Sequence, residues 1–269
     1  MSILVLFVVS YSNGADILAI IPTPSYSHQI AYTYIWRELS LRGHKVTVIT
    51  TDPLKDPSLT NLTEIDMKWL YQLVGNISNI AENTLTMWNI YDITLDIMLN
   101  ISDALLSHPP VQDLLQRKRN FDVLLVEFSY PELLAFAEVY RCPKILISPV
   151  DTIGYYHEKM GNPSHPVLHP DMSTPFFGSM NFIERVTSTL YSLYVFYFFD
   201  FKVIPKRQEM LKRYFDIEKT VEELLRDVDM MFLNVNPVIQ GSKALGPSTI
   251  SIGGQRAAIS TKPLSMVSN

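Results

Sequence analysis

Two residues in this chain of 269 have the chemistry and the setting for acid–base work, His28 and Glu127. His28, in a Ser27-His28 pair, follows an apolar run at residues 17–21 that Pro22 and Pro24 end. An unperturbed imidazole titrates at about pH 6.5, so its neutral form can take a proton from a substrate hydroxyl. Glu127 ends a second apolar run, FDVLLVE at residues 121–127. A carboxylate there can accept the imidazole N–H, orient the ring and stabilise the imidazolium. Its plainer reading is an exposed charge at a strand end. Of the other histidines, His44 sits between Gly43 and a strand and reads as a packing or hydrogen-bonding residue. His108, His157, His165 and His169 fall in loops or at helix ends without metal-ligand spacing. Cys142 is the one cysteine, which leaves no intrachain disulfide and no cysteine-based metal site.

The elements that must position the pair come from hydrophobic periodicity. Residues 15–50 read as strand, turn, helix, strand, a complete βαβ unit. In the helix, over 29–42, Ile30, Tyr34, Ile35 and Leu39 share one face, Arg42 lies in the last turn, and Gly43 is the C-cap. Residues 45–50 form the second, β-branched strand. A turn-rich loop follows, then a short strand over 64–67. A mostly helical stretch spans 77–106, and Pro109 and Pro110 open another helix running to about residue 118. The βαβ logic then repeats: strand 121–127, helix 131–140, strand 144–148. Residues 149–179 hold five prolines and little periodicity and read as a long loop. Helical patterning resumes over 180–215, and 205–227 reads as an ordinary charged surface helix. Strands at 230–234 and 249–253 complete the chain. The fold class is α/β, a Rossmann-like parallel sheet with right-handed crossovers and helices on both faces. In such sheets ligands bind at the carboxyl edge, where His28 and Glu127 both fall.

Composition narrows the function. The formal charge of −5 and the lack of a basic stripe argue against a nucleic-acid partner. Fourteen Tyr and thirteen Phe exceed the needs of a core this size, so some should line a pocket or a greasy surface. Residues 186–199 (VTSTLYSLYVFYFF) carry no charge but are too short to span a bilayer, which takes roughly 20 residues. They suit a core helix or one lying in a membrane interface. Residues 1–14 read as a secretory signal peptide, with an apolar stretch over 3–9 and small residues before Ala15. Asn61, Asn76 and Asn100 open glycosylation sequons, consistent with the lumen of the endoplasmic reticulum. The sequence has no Gly-x-Ser-x-Gly elbow, no Walker loop and no Gly-x-Gly-x-x-Gly, hence no phosphate cradle among these motifs.

ILAIIPTPSYSHQI, LSLRGHKVTVIT, FDVLLVEFSYPELLAFA, GNPSHP at 161–166 and PSTISIGG at 247–254 together resemble the amino-terminal half of an insect-type UDP-glycosyltransferase, of the group related to vertebrate UDP-glucuronosyltransferases. The resemblance implies the first of the two Rossmann-like domains of a GT-B fold, the one that binds a small lipophilic acceptor. It implies that His28 deprotonates the acceptor, which attacks the anomeric carbon of a UDP-sugar and displaces UDP with inversion. The family commonly has Asp where this chain has Glu127, one methylene longer. UDP-sugar is a co-substrate rather than a cofactor, and no cofactor or metal is implied. The family's donor domain, with its His-Gly-Gly and Asp-Gln elements, and its membrane-spanning helix are not found here. The expected organisation is therefore a signal peptide (1–14), an acceptor domain (15–254) and an aberrant or disordered tail (255–269). Such a chain is expected to show little catalysis alone. The alternatives are a lipophile-binding or regulatory partner of a full-length glycosyltransferase, or a chain whose donor half comes from a separate polypeptide.

Overall fold

The structure is a computed structural model and describes residues 14–74, 85–116, 119–176 and 178–254. The expected signal peptide and tail, and the Asn76 sequon, lie outside the described residues. Seven strands form one parallel sheet in the order β3-β2-β1-β4-β5-β6-β7. They are β1 (Asp16–Ile21), β2 (Lys45–Thr50), β3 (Leu62–Asp66), β4 (Val123–Glu127), β5 (Lys144–Ser148), β6 (Met230–Leu233) and β7 (Thr249–Ser251). The strand order reverses direction between β1 and β4, which pair Ile17 with Val123 through Ile20 with Val126. A crevice at the carboxyl ends of such a pair is where doubly wound sheets bind ligands.

Alternate residues of each strand feed two cores, as a two-residue period demands. Ile17, Ala19 and Ile21 of β1 pack on one face with Trp36 from α2 (Thr33–Leu41). Leu18 and Ile20 pack on the other with Leu95, Ile101 and Leu105 from α3 (Ile90–Leu106). The helix expected over 29–42 is two pieces, α1 (Tyr26–Ile30) and α2, separated by a turn at Ala31 and Tyr32. Gly43 caps α2 at φ +90°, a conformation that glycine adopts without strain.

Three further expectations need correction. The loop over 149–179 contains a helix, α6 (Gly154–Lys159), that buries Tyr155, Tyr156 and His157. Its six residues are too few to register a period. The strip read as a surface helix over 205–227 splits into α8 (Ile204–Tyr214) and α9 (Val221–Arg226), and α8 buries Arg207. Residues 131–140 begin as a 3-10 turn (Pro131–Leu134) before α5 (Ala135–Tyr140). Between α3 and α5 lies α4 (Pro109–Gln116), opened by its prolines as anticipated. α7 (Phe182–Phe198) starts on a capping box made by Asn181 and Glu184. It runs through a π segment, Phe199–Val203, directly into α8.

Candidate active site

The site starts with how β1 ends. Pro22 and Pro24 stop the strand, and the chain turns into α1. Gln29, buried in α1, ties that turn down: its Nε2 donates to the carbonyls of Ile21 (2.9 Å) and Thr23 (2.8 Å), and Thr50 Oγ1 on β2 donates to its Oε1 (2.7 Å). α1 is thereby pinned across the ends of two strands, which fixes its neighbour His28. From the other side of the crevice β4 presents Glu127, fully buried at its last position.

The two meet. His28 Nδ1 donates to Glu127 Oε1 at 2.6 Å, with the His28 side chain 29% exposed. The second carboxylate oxygen accepts from Thr23 Oγ1 at 2.6 Å and from the Thr23 backbone N–H at 3.3 Å. Tyr130 OH lies 3.1 Å from Thr23 Oγ1. Burial first, and the Glu127 charge second, push the Tyr130 phenol well above its ordinary value, so it keeps its proton and donates. Because a carboxylate only accepts, the bond fixes the Nδ1–H tautomer and leaves Nε2 with a lone pair and no hydrogen-bond partner among the described residues. This is the arrangement of a general base with an orienting carboxylate. The extra methylene of Glu127 does not break the contact. Thr23, Gln29 and Tyr130 went unnoticed in the sequence. A Thr between two prolines signals only a turn, and nothing in a single sequence places Gln29 beneath His28.

Immediately past Glu127 the chain enters an apolar cavity of about 360 Å³. Phe128 and Ser129 form one wall, Tyr91, Leu95 and Met98 of α3 another, and Phe199, Val203 and Arg207 a third. Tyr156 from α6 closes it from below, its ring edge-on to Phe128 with centroids 5.5 Å apart. α3 and the α7–α8 helix run parallel along its rim, joined by Asp92–Lys202, Asp96–Lys206 (2.9 Å) and Asp103–Arg213 (2.7 Å). These pairs are solvent-exposed, so each adds at most about 1 kcal/mol.

Behind the cavity lies a charged pair that the sequence did not reveal. Arg207 Nη1 donates to Glu132 Oε1 at 2.6 Å and Nη2 to the Ser129 carbonyl at 2.8 Å, and Ser102 Oγ donates to the same Glu132 oxygen. Both charges are almost completely buried. A second histidine pair sits at the edge of β5: His157 Nε2 donates to Asp151 Oδ1 at 3.0 Å, and Lys243 binds Oδ2. Burial pushes the Asp151 carboxyl up, but the hydrogen bonds from His157 and Lys243 outweigh it and hold the group down at about 2. Asn162 Oδ1 accepts from the Gly246 N–H at 2.7 Å, which turns its Nδ2 toward His157 Nδ1 at 3.2 Å. His157 is thus closed in on both nitrogens and has the form of a structural brace. No group of three potential metal ligands occurs among the described residues.

The model of the family described as UDP-glucoronosyl and UDP-glucosyl transferase matches residues 16–268. The chain belongs to that family. UDP-glucosyltransferase 2 of Dactylopius coccus is 29% identical over 94% of this chain and 50% of its own length. The ecdysteroid UDP-glucosyltransferase of Autographa californica nuclear polyhedrosis virus is 26% identical over 95% of this chain and 52% of its own. Among solved structures, the glycotransferase of kitacinnamycin aligns with 90% of this chain and 52% of its own at 17% identity and TM-score 0.48. The chain spans about half the length of the curated relatives it matches. The family match runs on past Gly254, through most of the stretch read as an aberrant tail.

Proposed function

We propose that this chain is the acceptor-binding half of a GT-B glycosyltransferase, which moves a hexose from a UDP-sugar to a hydroxyl of a small lipophile. The observation that carries the reading is the His28–Glu127 bond of 2.6 Å, made at the sheet's switch point and one residue from an apolar cavity. The acceptor lies in the cavity with its hydroxyl at His28 Nε2. As the acceptor oxygen bonds to the anomeric carbon, its proton passes to Nε2. The sugar–phosphate bond breaks on the opposite face, UDP leaves with the electron pair, and the configuration inverts. Glu127 stabilises the resulting imidazolium and needs no proton of its own. The UDP-sugar belongs to the second half of the fold, and positioning both reactants supplies much of the rate.

The secretory features of residues 1–14 and the sequons support a place in the endoplasmic reticulum lumen and a role in conjugating foreign or endogenous lipophiles. Of the two described sequons, Asn100 is exposed on α3, whereas Asn61 is half-buried and donates to the Ser40 carbonyl at 3.3 Å. α7 buries Ser188, Tyr191, Val195 and Phe198 and exposes Phe182, Ile183, Leu190, Leu193 and Tyr197 on the opposite side. That outward stripe supports attachment to a membrane surface. No helix among the described residues is long and apolar enough to cross a membrane.

A second reading, a lipophile-binding or regulatory partner of a full-length glycosyltransferase, is favoured by the apolar lining of the cavity, which can hold a lipophile without a sugar donor. The two readings separate when the chain, alone and joined to the second half of a family relative, is supplied with UDP-glucose and a phenol. Transfer by the joined protein, and acceptor binding without transfer by the chain alone, is the expected result. Acceptor binding with no transfer in either form would favour the partner role. Turnover by the chain alone would overturn the assignment of the sugar donor to the second half.

A further inference from the structure

The polar groups around the apolar cavity are nearly all engaged within the protein. Tyr91 OH donates to Asp171 Oδ1 at 2.8 Å, Ser173 Oγ to the same oxygen at 2.6 Å, and Thr94 Oγ1 to the Ile90 carbonyl at 2.8 Å. Arg207, the one charged residue of the lining, spends Nη1 and Nη2 on Glu132 and Ser129, and its Nε is enclosed away from the open space. Two hydroxyls differ. Ser129 Oγ and Tyr156 OH belong to side chains that are 6% and 3% exposed, line the cavity, and have no hydrogen-bond partner among the described residues. Neither atom is among the fully enclosed orphans, so both remain reachable from the cavity.

Buried hydroxyls without partners are uncommon, and each lost bond costs about 1–3 kcal/mol, so a ligand oxygen bonded to this pair would be favoured over an apolar group in the same place. We infer that Ser129 and Tyr156 form a polar reader for the acceptor: they bind a neutral oxygen, of the carbonyl class, on the body of a lipophile whose reacting hydroxyl points to His28. This rests on the cavity being the acceptor site.

The chemistry follows from the two groups and their surroundings. Burial pushes the Tyr156 phenol well above its ordinary value, outweighing the opposing Arg207 charge, which Glu132 offsets in part, so it stays protonated and donates. A donor selects an accepting oxygen. The ligand is neutral because the Arg207 charge is already cancelled by Glu132 at 2.6 Å, so a carboxylate entering an apolar cavity would lose its hydration and find no free cation. Arg207 acts behind the reader as a positioning residue: its Nη2 holds the Ser129 carbonyl, and its guanidinium lies 5.6 Å from the Tyr130 ring centroid. One buried ion pair thus braces both the Ser129 wall and the Tyr130 that supports Thr23 and Glu127.

The test compares estrone, a rigid phenol with a ketone at its far end, with its 17-deoxo analogue and a 17-carboxylate analogue. Binding to the full chain is followed by quenching of tryptophan fluorescence. The native protein is expected to prefer estrone over the deoxo compound by roughly tenfold, and over the carboxylate by at least as much. Ser129→Ala and Tyr156→Phe should each erode that preference roughly threefold, and together abolish it, read as the ratio of estrone to deoxo affinity within each variant. Equal affinity for estrone and the deoxo analogue, a preference that survives the double variant, or tighter binding of the carboxylate would overturn the polar reader. If no steroid binds, or if Leu95→Trp fails to weaken binding, the cavity is not the acceptor site and both readings fall.

Discussion

Replacing Glu127 with Gln tests the pair at the level of a single proton. In the native site Glu127 Oε2 takes the Thr23 hydroxyl at 2.6 Å and the Thr23 N–H at 3.3 Å, and Oε1 takes His28 Nδ1–H at 2.6 Å. A glutamine of the same shape keeps the two Thr23 bonds only with its carbonyl oxygen on their side, which turns its NH2 toward His28. Nδ1 must then accept rather than donate, and the proton moves to Nε2. A hydrogen bond to a charged group contributes about 1.5–3 kcal/mol, so the carboxylate favours the Nδ1–H form by roughly 10- to 100-fold. The amide reverses that preference. The variant would fold, bind acceptor and yet hold a proton where the base needs a lone pair. Long-range ¹H–¹⁵N correlation spectra of His28 distinguish the tautomers directly. The reasoning is refuted if native His28 is the Nε2–H form, or if Glu127→Gln leaves the Nδ1–H form in place.

Three further outcomes follow from the same structure. Arg207→Met strands the buried Glu132 charge and should cost roughly 3–5 kcal/mol in urea unfolding, while Arg207→Met combined with Glu132→Leu should recover most of it; a double variant no better than the single would refute the pairing. Leu95→Trp narrows the cavity of about 360 Å³ and should abolish acceptor binding, at a cost of about 1–3 kcal/mol because Leu95 also packs in the core, with circular dichroism checking that the fold is kept. Asp151 is held at about 2 against an ordinary 3.8, so its contribution is complete above about pH 4 and drains away as pH falls toward 2. The gap corresponds to about 2 kcal/mol. Asp151→Asn should therefore be less stable than the native chain at pH 6 by about that much, and should converge with it near pH 2.

The reach of the sequence was uneven for physical reasons. The strands were legible because buried parallel strands are continuous apolar runs, as residues 17–21 and 123–126 are. His28 and Glu127 were legible because each stands where a strand gives way to a turn, a position that one chain segment defines by itself. Their meeting was not, since it depends on β4 pairing with β1 across about a hundred residues. Arg207 lay hidden for a related reason: in a charged, amphipathic stretch one arginine looks solvated, and only the packing of α8 against the 3-10 turn holding Glu132 shows that it is not. The α6 helix was lost among prolines. The uncharged stretch over 186–199 left two readings open, a core helix and an interfacial one. α7 fits both, with one apolar face buried and the other exposed.

The most direct measurement is sugar transfer by the chain joined to the second half of a relative, native against His28→Ala, with UDP-glucose and one phenolic acceptor. A positioned general base contributes about 10²–10⁴-fold. The account predicts an inverted glucoside from the native protein and a loss in kcat of at least about a hundredfold in His28→Ala, with acceptor affinity nearly unchanged. A variant that transfers glucose as fast as the native protein would contradict it.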